Sequence, residues 1–180
     1  MANYYYLVPT LPSLRPDMDD YMSLEDFLAL CRGHLTKKDY EILSHATLTG
    51  SDEVEGNAFM KAFSRFRSMV DSALIAERAA KLGLKDPCYE NRGDREGRIQ
   101  EAVKKAVRSD DPLMGEKLIL NLYWGFLENN LGLGHYFDLT FLISYALRLQ
   151  ILSRLSSFTL DKGNAEFAKL FGQLKEEIFR

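Results

Sequence analysis

Cysteine is scarce, two residues in 180, and Cys31 and Cys88 stand far apart without C-x-x-C spacing. That excludes a disulfide framework and a thiolate metal site, and leaves reduced thiols of the kind a cytosolic protein carries. Histidine is hardly commoner. His34, His45 and His135 are scattered, with no H-E-x-x-H and no acid at ligand spacing on the same helix face, so no metal is expected and the three read as exposed or capping side chains. Glycine-rich phosphate or dinucleotide loops are missing too. Gly132-Leu133-Gly134 lacks the third glycine and a preceding strand, and a helix C-terminus explains both glycines. Neither a G-x-S-x-G elbow nor a P-loop lysine occurs. Asp17, Asp19 and Asp20 imitate a calcium loop for three positions, without its central glycine and distal glutamate. Adjacent carboxylates at Asp110-Asp111 and Glu176-Glu177 fall at helix ends, where capping or solvation accounts for them. No catalytic constellation emerges, so neither an enzyme nor a cofactor is expected.

Charge of one sign is lacking as well. The net charge of −3 is too small to point to nucleic acid as the main partner. A basic region followed by an apolar run is missing from the N-terminus, so no secretory signal is expected. No uninterrupted apolar run of about 18 residues occurs either, which argues against a membrane span.

What is present is an ordinary globular balance, 46% hydrophobic and 27% charged, enough for one sizeable core. The chain is read as a single all-helical domain over residues 1–180, with residues 1–50 as a possible small N-terminal lobe. Its organising stretch is Asp138–Phe158. At 100° per residue, Phe141, Leu142, Tyr145, Leu149 and Leu152 share one face, while Ile143, Leu147, Ile151 and Leu155 fill much of the opposite one. A helix apolar nearly all round is packed on several sides. Arg148, Gln150 and Arg154 favour a buried helix over a membrane span. The two arginines are expected to snorkel or to pair with acids such as Asp138 or Glu128.

Taken in order, Tyr4–Leu14 (YYYLVPTLPSL) reads as extended, because tyrosines favour strand-like backbone and Pro9 and Pro12 forbid a continuous helix. Ser23 with Asp26, and Thr36 with Asp39, each start a short helix. From Glu53 to about Leu84 runs the longest helical pattern. Phe59, Ala62, Phe66, Met69, Ala73, Ala76 and Ala80 form a 3-4 seam along it. A polar loop and an amphipathic helix from Arg95 to about Ser109 follow, with Ile99, Ala102, Val103, Ala106 and Val107 as its stripe, which predicts an antiparallel hairpin. Asp111-Pro112 starts the next helix, Asp138 caps the central one, and a last amphipathic helix after Thr159 carries Phe167, Leu170, Phe171, Leu174 and Ile178. The expected fold is all-α: a bundle of about seven helices with a long helical hairpin and an extended N-terminal segment.

Charge is segregated along the chain: net −6 over residues 1–60, +5 over 61–108 and −2 over 109–180. Arg92, Arg95, Arg98, Lys104, Lys105 and Arg108 make the basic middle a candidate partner interface. With only Tyr89 nearby to stack on bases, it reads as a solvated face or a docking surface for an acidic protein. A different class of reading is a small helical ligand-binding or adaptor protein with a pocket near Tyr123, Trp124, Tyr136 and Tyr145.

Three pieces carry a resemblance. They are YYYLVPTLPSL at the start, Asp111-Pro112-Leu113 through Trp124-x-x-Leu127-Glu128, and Tyr136-Phe137-Asp138 running into Tyr145-Ala-Leu-Arg-Leu-Gln-Ile-Leu-x-Arg154. Together they resemble a bacterial protein family encoded within V-type ATPase operons. That family is similar to the connector that joins stalk to ring in V/A-type rotary ATPases. The resemblance implies a non-catalytic helical subunit between the central rotor stalk and the membrane rotor ring, cytoplasmic and held at the inner face of the membrane through the ATPase. Its implied partners are the stalk and ring subunits. The stalk connector is a larger, three-lobed funnel, and this chain is too short for three lobes, so it implies a part of that connector, an associate of it or a reduced replacement.

Overall fold

The computed structural model describes residues 3–49, 57–84, 87–89, 96–132 and 134–178. Among these the fold is all-helical: α1 (Tyr4–Leu7), α2 (Leu24–Arg32), α3 (Lys37–Ser44), α4 (Ala58–Lys81), α5 (Gly97–Arg108), α6 (Pro112–Asn130), α7 (Leu139–Ser156) and α8 (Leu160–Ile178), with 3-10 turns at Val8–Thr10 and Pro87–Tyr89. No helix among the described residues is long and apolar enough to cross a membrane.

Local signals set the starts. Ser23 and Thr36 accept hydrogen bonds from the backbone N–H groups of Asp26 and Asp39 at 3.0 and 3.2 Å, each relieving one of the donors a helix leaves unpaired. Asp111 caps α6 through Leu113 N, with Pro112 at the first helical position. Asp138 Oδ1 accepts from Phe141 N at 3.0 Å and starts α7. The long helix begins later than its hydrophobic pattern implied. Asn57 is extended and its side chain accepts from Met60 N, so α4 starts at Ala58 rather than Glu53. Gly132 follows the end of α6 with φ +69, a conformation without steric cost only for glycine.

α7 is buried on every side. Leu142 through Leu147, Leu149, Ile151 and Leu152 are all buried. On one flank it meets the N-terminal segment. The Phe27 and Tyr145 rings lie 5.0 Å apart, Tyr145 OH donates to Pro12 O at 2.9 Å, and Gln150 clamps the end of α3, donating to Ala46 O (2.7 Å) and accepting from Leu48 N (3.0 Å). On the other flank it packs on α6, which in turn packs on α5 and holds α4 through an aromatic cluster of Phe59, Phe63, Phe66, Tyr123 and Phe126. One continuous hydrophobic core runs from Leu7 to Leu152.

Two expectations change. Tyr4–Thr10 is not extended: Tyr4–Leu7 make a helical turn and Val8–Thr10 a 3-10 turn, and extended backbone begins at Leu11. Pro9 suits the first turn of such a segment, where its missing N–H costs nothing. The α4–α5 pair is also not an antiparallel hairpin. Lys61–Met69 lie beside Glu96–Ile99, while Lys81 Nζ donates to Val107 O at 2.7 Å. The two helices therefore run parallel, and the antiparallel hairpin is α5–α6, closed by the short link Ser109–Asp111. The buried seam of α4 shifts accordingly to Phe59, Phe63, Phe66, Val70 and Ala73, leaving Ala62 and Ala80 exposed.

Candidate partner interface

The basic segment divides on folding. Arg92 and Arg95 lie outside the described residues. On α5, Ile99, Val103 and Ala106 turn inward, which by helical spacing turns Lys104, Lys105 and Arg108 outward with Glu101 among them. No ion pair among the described residues engages these three cations. Arg98 belongs to a different surface. Its guanidinium lies 3.8 Å from where a Cβ on Gly125 would stand, an ordinary contact distance that places it against α6.

That second surface is a groove of about 490 Å³ where α4, the start of α5 and the end of α6 meet. Phe66 and Phe126, stacked at 4.2 Å, form its floor with Met69, Ile99 and Leu122. Lys61 and Arg65, one turn apart on α4, and Arg98 opposite them make its rim basic, against one acid, Glu96.

A larger cleft, about 790 Å³, opens between α4, α6 and the end of α7. Its charged groups are Arg67, Asp71, Glu116 and Arg154. Arg154 Nε donates to Glu116 at 3.1 Å and Arg67 to Leu48 O at 3.4 Å, so the cations are held by the protein itself. Burial raises the Asp71 carboxyl above its ordinary range, opposed by the charges of Arg67 and Arg78. The Tyr123 phenol is pushed up by burial, with Asp71 adding to it.

The four aromatics named as a possible pocket do not converge. Tyr123 lines this cleft, Tyr145 is spent on Pro12, and Tyr136 is exposed. Trp124 donates to Glu128 at 2.8 Å while its face carries the Arg148 guanidinium 5.4 Å from the ring centroid. Burial draws the Arg148 pKa down and Glu128 opposes it. Arg148 lies over the Trp124 ring, with no ion pair to Glu128 among the described residues, whereas Arg154 takes Glu116, a partner the sequence pattern did not single out. His135 contacts Asp138, and among the described residues no group of three or more metal-ligating side chains gathers.

The last helix, expected from the sequence to be amphipathic, supplies a third surface. Phe167, Leu170, Phe171 and Leu174 of α8 are 69, 53, 60 and 55% exposed. Amphipathic spacing reveals that a helix has an apolar face but not what covers it. Comparison of the chain with family models, curated proteins and solved structures finds no match.

Proposed function

We propose that this chain is a non-catalytic interaction subunit, docked through the outer face of α5 on the stalk and ring subunits of a bacterial V-type ATPase and serving to connect the two. The observation that carries the docking is the row Lys104, Lys105 and Arg108, exposed on a protein of net charge −3 and engaged by no ion pair among the described residues. Such a row attracts an acidic surface and orients the encounter, contributing more to rate and specificity than to the stability of its own fold. The identity of the partner draws on the resemblance, whose pieces meet in space. Tyr5 stacks on Phe137 at 4.9 Å, and Tyr145 bonds Pro12, so those motif residues serve packing and no chemistry is asked of them.

The alternative, a helical ligand-binding protein unrelated to the ATPase, draws on the 790 Å³ cleft. Its internally paired charges make it the weaker reading. Co-expression with the V-type stalk and ring subunits, followed by pull-down and by ATP-driven ion transport in a deletion strain, separates the two. Capture that falls on Lys104→Glu/Lys105→Glu/Arg108→Glu and with rising salt is expected. No co-purification together with unchanged coupling sinks the connector and leaves the cleft as the functional site.

A further inference from the structure

We draw no further inference here: the strongest candidate, the apolar surface patch that Phe167, Leu170, Phe171 and Leu174 present along α8, carries none because nothing in the structure shows what covers it.

Discussion

Leu149, buried in the middle of α7, is surrounded by the side chains that hold the two flanks of the protein together. An aspartate there would be a charge without a partner, and Leu149→Asp should destabilise by about 4 kcal/mol or abolish soluble expression, read by yield and thermal unfolding. Gly115 is as intolerant for a different reason. A Cβ on it would stand 2.8 Å from the Ala106 carbonyl oxygen, and backbone does not rotate away as a side chain does. Gly115→Ala should therefore cost about 1–3 kcal/mol, although alanine has the higher helix propensity. The two thiols should also differ. Cys31 is fully buried and its thiol is pushed up to about 12, whereas Cys88 is exposed. A thiol reagent should modify one cysteine in the native protein and both after denaturation. At this scale the caps were legible, because Ser23–Asp26 and Thr36–Asp39 act over three residues. The Arg154–Glu116 pair was not, because its members are 38 positions apart and only the tertiary fold joins them.

Helix existence was similarly legible and helix direction was not. Periodicity identifies the inward faces of α4 and α5, but the sign of their alignment depends on the connection between them. A short loop would force an antiparallel return, whereas the link from Leu82 to Glu96 is long enough to bring the chain back along α4 before α5 begins. Spin labels at Ala62 paired with Gly97, and at Arg78 paired with Arg108, should both report short distances. The crossed pair Ala62 with Arg108 should be longer than the near pairs by about 15 Å. Equal or inverted distances would restore the antiparallel hairpin. The N-terminal turn escaped for a related reason: three tyrosines favour a strand only where a neighbouring strand exists, and an all-helical protein offers none.

At the level of the whole molecule, the buried acids of neutral type act together. Cys31 moves from 9.0 to about 12 and Tyr145 from 10.0 to about 12, both chiefly by burial, and Tyr4 and Tyr123 shift upward as well. These groups bind their protons more tightly when folded, so above their unfolded values the denatured chain releases protons that the native one retains. Stability should be insensitive to them below about pH 9 and fall steadily between pH 9 and 12, a trend that denaturant titrations would register. Cys31→Ala should flatten the first part of that decline. A decline of the same slope in the variant would exclude the Cys31 thiol as its cause.

The placement of α7 also has a consequence for synthesis. The first helices pack on a helix that begins at Leu139, so Leu7, Phe27 and Leu43 leave the ribosome long before the surface that covers them. At about 5–20 residues per second the wait is on the order of 5–20 s. Throughout that interval the nascent N-terminus presents apolar side chains to chaperones, whereas α5 and α6 can pair as soon as both have emerged. The protein is thus finished from its carboxyl-terminal half backwards, and translation stalled before Tyr145 would leave an amino-terminal segment with nothing to fold upon.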